Sequence, residues 1–356
     1  MSTVVNKNSK IYYSGKYWND FPKVLEYMSQ NFTGDKNKYW MDDFKERFAK
    51  KPLKNGLFLN CGNGWVEREF IDRKIVLKAT AFDYSEELLK GAEEGRKNRQ
   101  IKYLKADVNK VVFKENQFDL IVNVAALHHV QYINRLSCVL AKTLKEGGIF
   151  VNFDYIGPHR NQYPLRQWFY IHQINNSLPT NIRKDHLDYP HLATMLHHDP
   201  TEAIHSELIF ESLSRYFDII ERHDTGGGIA YMILTHNPKL NKLRHNILDK
   251  YMNEVLAADK KYTDLKKVPQ MFSYFIAKPN KKSLLDKKRI VYFQKQEDLR
   301  EKRAELFVGV YTKYDFLKLL YHYLKLISMV NNPARITLIK QSFFFAFKRI
   351  RIFLMH

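Results

Sequence analysis

A short apolar run that ends in two closely spaced glycines constrains this chain more than any other feature. Leu57-Phe58-Leu59 is followed at once by Asn60-Cys61-Gly62-Asn63-Gly64. Glycines directly after a strand let the backbone adopt conformations that a side chain would forbid, and they let it approach a ligand closely. In open α/β sheets, ligands bind just beyond the carboxyl ends of the strands. The segment therefore predicts a buried strand that leads into a ligand-binding turn.

Strand-like and helix-like segments alternate along most of the chain. Apolar runs at 57–60, 79–82, 119–124 and 148–153 predict strands, and the patterning at 85–96 and 133–144 predicts helices between them. After an interruption at 159–205, strand-like runs at 217–222, 229–234 and 271–277 resume, with a helical stretch at 240–258. Strands that alternate with helices of this length are typical of a parallel sheet. We therefore predict an α/β, Rossmann-like fold with helices on both faces of the sheet.

Acidic residues follow two of these predicted strands. Asp83 ends the second strand, where a carboxylate can accept hydrogen bonds from both hydroxyls of a ribose. Asp107 follows a third strand-like run, where it can meet the amino group of an adenine. Each acidic residue also has a simpler interpretation as a turn former or helix cap, and Asp83 precedes a predicted helix that begins near Ser85.

Taken together, these segments resemble the class I S-adenosylmethionine-dependent methyltransferases between about residues 40 and 278. The glycine turn resembles the family's glycine-rich motif, with Asn60 where a glycine is commoner. Phe82-Asp83-Tyr84-Ser85 resembles its ribose-binding motif, and Ala106-Asp107-Val108 resembles its adenine-contacting motif. The resemblance implies a seven-stranded sheet with an antiparallel last strand, with S-adenosylmethionine as the cofactor. It also implies cofactor binding by Asn60, Cys61, Gly62, Asn63, Gly64, Asp83, Tyr84, Asp107, Val108 and Asn123.

A dinucleotide-dependent oxidoreductase is the main rival within this architecture. Its fingerprint has a third glycine, which is absent here, and an acidic residue about 20 residues further on. That absence and the Gly147-Gly148 turn favour the methyltransferase.

The segment after the fifth predicted strand narrows the subclass. The run from Asp154 to Arg160 and the run from Asp199 to Ile204 resemble segments of a bacterial methyltransferase group associated with surface-glycan and secondary-metabolite biosynthesis. They fall in an insertion, 157–215, where this fold usually builds its substrate lid. We expect substrate contacts from Tyr13, Asp154, Tyr155 and Arg160. The alternative is that Gly157-Pro158 is only a turn and Asp199-Pro200 only the start of a helix.

Histidines supply the candidate catalytic bases, because an imidazole titrates near neutral pH. We place His128 and His159 ahead of His129, which we expect to be packed against apolar neighbours, although each of them has a structural interpretation too. His186, His197 and His198 have no cysteine nearby and no i, i+4 pairing, so we expect no metal site.

The predicted domains are an N-terminal helical cap at 1–50, a methyltransferase domain at 51–279 and a basic helical extension at 280–356. The chain carries a net charge of +20, and more than half of the excess lies after residue 278. Residues 315–356 predict amphipathic helices with cations beside an apolar stripe, a pattern that suits the surface of an anionic membrane. Packing on the catalytic domain or on a second copy in a homodimer is the alternative, and nucleic-acid binding ranks third.

The sequence thus predicts methyl transfer to an oxygen or nitrogen of a sugar, glycolipid or other small metabolite. The rivals are an RNA methyltransferase, which only the net charge favours, and an inactive scaffold subunit with a cofactor fold. Only two cysteines are present and the first ten residues are polar, so we expect a cytoplasmic protein that also contacts the inner face of the membrane.

Overall fold

The protein is described by a computed structural model that covers residues 16–190, 199 and 201–307. Within this part of the chain, seven strands form one sheet in the order β3-β2-β1-β4-β5-β7-β6. The strands are β1 (Leu53–Phe58), β2 (Val76–Asp83), β3 (Ile101–Lys105), β4 (Phe118–Val124), β5 (Leu144–Tyr155), β6 (Phe217–Asp224) and β7 (Phe272–Pro279). Strands β1 to β5 pair in parallel, whereas β7 runs antiparallel to both β5 and β6. The Rossmann-like α/β fold and its antiparallel last strand are confirmed.

Helices lie between the strands and at both ends of the described chain. They are α1 (Pro22–Thr33), α2 (Trp40–Phe48), α3 (Trp65–Asp72), α4 (Glu86–Arg96), α5 (Ile133–Thr143), α6 (Leu165–Ser177), α7 (Ile209–Ser214), α8 (Ala230–Leu234), α9 (His245–Asp264) and α10 (Lys287–Phe307). The predicted helices at 85–96 and 133–144 match α4 and α5. The predicted helix at 240–258 divides into a 3₁₀ turn, Leu240–Lys242, and α9.

Both faces of the sheet are buried, which explains why its central strands are apolar throughout. Neighbouring residues of one strand point to opposite faces. Leu57 and Phe150 accordingly belong to one core cluster, and Phe58 and Val151 belong to the other. Helices α1, α2 and α3 cover the face that holds Phe58, while α5 and α7 cover the opposite face.

One predicted strand is wrong. Residues 229–234 include helix α8 rather than a strand. The carboxylate of Asp259, fully buried in α9, accepts hydrogen bonds from the backbone N–H groups of Gly227, Ile229 and Ala230 at 2.6–2.9 Å. A negative charge at the N-terminus of a helix satisfies free N–H groups and stabilises the helix. Apolar residues alone could not reveal this partner, which lies about 30 positions further along the chain.

Helix α10 packs against α5 and contributes two buried carboxylates. Glu297 accepts hydrogen bonds from the backbone N–H groups of Asn134 and Arg135, at 2.6 and 2.8 Å, and so caps the N-terminus of α5. Glu301 lies 2.7 Å from Nε2 of His205 in the insertion. The start of the predicted extension is therefore joined to both the sheet domain and the insertion. No helix of the described residues is long and apolar enough to cross a bilayer.

Candidate active site

The glycine turn leaves β1 in a conformation that few residues tolerate. Asn60, Gly62 and Gly64 have φ angles of 41°, 56° and 78°. Asparagine is one of the few residues other than glycine that adopts positive φ readily, which explains why Asn60 can stand where a glycine is commoner. A Cβ on Gly64 would lie 2.5 Å from the hydroxyl of Tyr103, so this position also needs glycine for space.

The carboxylate of Asp83 joins the end of β2 to this turn. Its Oδ2 accepts from the N–H of Gly62 at 2.9 Å, and its Oδ1 accepts from the N–H of Ser85 at 2.8 Å. Burial raises the pKa of Asp83, and the three backbone N–H groups around it and the charge of His129 lower it. Each carboxylate oxygen has a second lone pair, so Asp83 can still accept from a ribose. Tyr84 beside it is exposed.

Asp107 and Val108 begin the turn after β3. Asp107 accepts from the N–H of Asn109 at 2.9 Å, and its side chain is partly exposed. Val108 is buried in the core cluster on the Leu57 face of the sheet. Because β3, β2 and β1 are neighbours in the sheet, Asp107, Asp83 and the glycine turn follow the carboxyl ends of adjacent strands.

A buried polar network connects β4 to β5. Asn123 is fully buried and donates its amide to Asn152 at 2.7 Å and to Asp154 at 2.6 Å. Asp154, also fully buried, accepts from the backbone N–H groups of Ala126 and Leu127. Its Oδ1 lies 2.5 Å from Nδ1 of His128. Asp154, predicted to contact substrate, therefore holds the turn after β4 and orients an imidazole.

Burial and the nearby carboxylates, Asp154 above all, act in opposite directions on the pKa of His128. Burial alone would lower the pKa of this imidazole, but the carboxylate raises it to about 9. The pKa of Asp154 is correspondingly held below its usual value, against the effect of burial, by the charge of His128. Burial and the neighbouring charge of His128 lower the pKa of His129.

His159 has different surroundings. Its Nε2 lies 3.2 Å from the carboxylate of Glu207, and its ring meets the ring of His205 edge to face at 5.8 Å. Burial lowers its pKa to about 4, and the charges of His205 and Arg300 act in the same direction.

The other predicted substrate residues hold the insertion in place. The hydroxyl of Tyr155 donates to the carbonyl of Pro158 at 3.1 Å. Arg160, at φ 54°, donates its backbone N–H to the carbonyl of Ala203 at 2.7 Å. Tyr13 lies outside the described residues.

Part of the insertion folds back over the turn after β4, which the sequence did not reveal. The N–H of Ile204 donates to the carbonyl of His128 at 3.0 Å. This contact brings Glu202 to the two histidines: its Oε2 lies 3.9 Å from Nε2 of His128 and 3.7 Å from Nε2 of His129. His129 is partly exposed, and its ring nitrogens lie 4.0 Å from the carboxylate of Asp199 and 3.7 Å from that of Glu202. Asp199-Pro200-Thr201-Glu202 stood out in the sequence, but nothing there indicates a return to a turn some 70 residues earlier.

The comparisons with known proteins concern the same part of the chain. Residues 57–152 match the model of a family described as a methyltransferase domain. An uncharacterized chloroplastic methyltransferase of Arabidopsis thaliana is 28% identical over 115 residues, which are 30% of this chain and 33% of that protein. The chain thus spans about a third of the length of this relative.

Solved structures show weaker likenesses. An S-adenosylmethionine-dependent methyltransferase from Mesorhizobium loti is 19% identical with a TM-score of 0.40, over 64% of this chain and 90% of that one. Phosphoethanolamine N-methyltransferase 2 of Haemonchus contortus is 16% identical with a TM-score of 0.45, over 72% and 57%. Similarities at this level say nothing of the substrate. The family match thus places a methyltransferase domain over residues 57–152, within a seven-stranded sheet that has the antiparallel last strand expected from the resemblance to class I methyltransferases.

Proposed function

We propose that this protein transfers the methyl group of S-adenosylmethionine to an oxygen or nitrogen of a small acceptor, such as a sugar or glycolipid. The observation that carries the proposal is the arrangement at one edge of the sheet. The glycine turn and Asp83 follow β1 and β2, and the turn that holds His128 follows β4, directly beside β1. A cofactor on the first pair of strands would therefore have its neighbour, the acceptor, on β4 and β5.

The cofactor residues have separate roles in this proposal. The turn from Asn60 to Gly64 would lie under the amino-acid end, because its backbone is open to close approach. Asp83, with Tyr84 beside it, would bind the ribose, and Asp107 with Val108 would contact the adenine. Asn123 would act indirectly, since its amide is already used by Asn152 and Asp154.

The acceptor would lie between the turn after β4 and the insertion. His128 is held by Asp154 and presents Nε2 toward Glu202. His159 and Arg160 lie in the first turn of the insertion, so they would border the acceptor from the other side, with Tyr13 as a further predicted contact. Of the two candidate catalytic histidines, we rank His128 ahead of His159. His128 follows β4, which lies beside β1, the strand that leads into the glycine turn.

The chemistry makes modest demands on these residues. An acceptor oxygen or nitrogen forms a bond to the methyl carbon as the bond from carbon to the sulfonium sulfur breaks, and the acceptor's proton leaves to solvent. The reaction needs nucleophile, carbon and sulfur in line, so positioning provides most of the rate enhancement.

Calorimetric binding of S-adenosylmethionine and S-adenosylhomocysteine tests the cofactor site. We expect micromolar affinity, about −8 kcal/mol, which Asp83→Asn weakens at least tenfold. Glu86→Gln is the matched control, because Glu86 is exposed at the start of the next helix and pairs only with Lys105 among the described residues. A folded wild-type protein that binds neither ligand would refute the proposal, and a substrate screen that begins with sugars follows if both bind.

The predicted membrane contact belongs to residues 315–356, which lie outside the described part of the chain. We propose it as a peripheral contact, supported by the basic and aromatic composition of that segment. Sedimentation with anionic and with zwitterionic vesicles tests it, and equal binding to both would contradict it. Sedimentation equilibrium without vesicles tests the homodimer. Salt-dependent binding of RNA, which the net charge of +20 alone favours, would instead support the RNA methyltransferase.

A further inference from the structure

Three potential metal ligands converge where the insertion meets the turn after β4. His128, His129 and Glu202 each offer one ligand atom, and these atoms all lie within 4.8 Å of one another. Oε2 of Glu202 lies 3.9 Å from His128 Nε2 and 3.7 Å from His129 Nε2. The three residues come from segments more than 70 positions apart, so only the folded chain creates the group.

In each of the three residues, the second polar atom of the side chain, which would not bind the ion, contacts another group. His128 Nδ1 is bound to Asp154 at 2.5 Å, and His129 Nδ1 lies 3.2 Å from the hydroxyl of Thr201. Glu202 Oε1 accepts from the amide of Asn161 at 3.1 Å. Histidines that bind metals characteristically use their second ring nitrogen in this way, because the outer contact fixes the tautomer and aims the free nitrogen.

Backbone hydrogen bonds also fix the positions of these three residues. His128 and His129 belong to a 3₁₀ turn whose carbonyl at His128 accepts from Ile204. The N–H of Glu202 donates to the side chain of Asp199 at 3.1 Å, and this hydrogen bond closes the turn that carries Glu202. The burial also differs in a useful way: His128 is buried, whereas His129 and Glu202 are partly exposed, which leaves a path for an ion from solvent.

The distances are close to those of an occupied site. An ion with bonds of about 2.1 Å places adjacent ligand atoms about 3.0–3.4 Å apart, so the two histidine nitrogens would each move about 0.3–0.9 Å closer to Glu202 Oε2. Imidazole nitrogens with one carboxylate suit divalent first-row transition ions, and three protein ligands leave positions for other molecules. We propose that His128, His129 and Glu202 bind one such ion.

The ion's role rests on the proposed methyl transfer. The three residues lie at the turn after β4, directly beside β1 and the glycine turn that follows it, so an ion held there would have its remaining positions available to the acceptor. An acceptor hydroxyl bound there would lose its proton to solvent more easily, because the ion stabilises the oxygen anion. That oxygen would then form the bond to the methyl carbon as the carbon–sulfur bond breaks. The ligand set therefore favours an acceptor hydroxyl, or a pair of adjacent hydroxyls, over an amine.

The test is metal binding by the full chain, freed of any affinity tag and treated with a chelator. Zn²⁺ is titrated by calorimetry, and Co²⁺ is followed by its visible absorption, which reports nitrogen and oxygen ligands. We expect one ion per chain for the wild type. Glu202→Gln and His129→Gln should each weaken binding at least tenfold. His186→Gln, an exposed histidine outside the group, is the matched control and should bind as the wild type does.

Thermal unfolding of the same variants shows whether each remains folded, and Glu202→Gln keeps an oxygen for Asn161. The metal site would be overturned if the wild type binds no ion. It would also be overturned if Glu202→Gln and His129→Gln are both folded and bind the ion as tightly as the wild type. Calorimetry with S-adenosylmethionine in the same preparations separates the two proposals. If the protein binds the ion but not the cofactor, the metal site stands and methyl transfer is rejected. If it binds the cofactor but not the ion, methyl transfer stands and the metal site is rejected.

Discussion

Glu67 carries a large stability penalty that a single substitution should remove. It lies in α3, just after the glycine turn, and its side chain is fully buried. Neither carboxyl oxygen has a well-formed hydrogen bond to any described residue. Burial raises the pKa of this carboxyl from 4.5 to about 7, although nearby backbone, Tyr103 and Arg68 act in the opposite direction. Glu67→Gln keeps the shape of the side chain and removes its charge.

The magnitude follows from the pKa. At 1.36 kcal/mol per pKa unit, a rise from 4.5 to about 7 corresponds to about 3 kcal/mol of lost stability in the ionised state. The folded-state pKa lies above the unfolded one, so the penalty is absent below pH 4.5 and grows as the pH rises through this interval. It is complete above about pH 7. An unpaired buried amide costs about 1 kcal/mol, which leaves a net gain of about 2 kcal/mol.

Urea unfolding of the wild type and Glu67→Gln, followed by tryptophan fluorescence between about pH 4 and pH 8, measures this difference. We expect the variant to be more stable at the upper end and to lose its advantage at the lower end. Glu69→Gln is the control, since Glu69 lies in the same helix, is partly exposed and pairs with Arg73; it should change stability by less than about 0.5 kcal/mol. A gain that does not depend on pH, or none at all, would refute the reasoning.

Three further substitutions test other parts of the structure. Gly64→Ala should abolish calorimetric binding of S-adenosylmethionine, because the added methyl meets Tyr103 at a positive φ, whereas Gly91→Ala, in an open helical position, should keep it and add about 0.5–1 kcal/mol of stability. Glu297→Ala should cost about 1–3 kcal/mol in urea unfolding by uncapping α5, and an equal loss in exposed Asp298→Ala would contradict the cap. Asp259→Asn, which removes the charge from three backbone donors, should cost about 2 kcal/mol, and unchanged thermal unfolding would count against that role.

The fold could be predicted because its evidence is local. Apolar runs bounded by glycine, such as the one before Gly62, reveal buried strands, and Asp83 at the end of the next strand marks the carboxyl edge of the sheet. These signals survive in one sequence because each strand must be apolar on both faces to be covered by helices. The prediction of a strand at 229–234 was wrong because its evidence is not local. A carboxylate from α9, distant in the sequence, stabilises a helix there.

The candidate site also has a part that the sequence predicts and a part that only the folded chain reveals. The sequence by itself predicted the glycine turn, the acidic residues that end β2 and follow β3, and the two candidate histidines, His128 and His159. Only the tertiary structure decided that Asp154 orients this histidine, that Glu202 returns from the insertion to face it, and that Glu297 of the basic extension caps α5. Backbone conformation and burial pattern are imposed on each short segment and are visible in its residue types. Contacts between segments 26 to 163 residues apart depend on how the sheet stacks its strands, and no single segment records them.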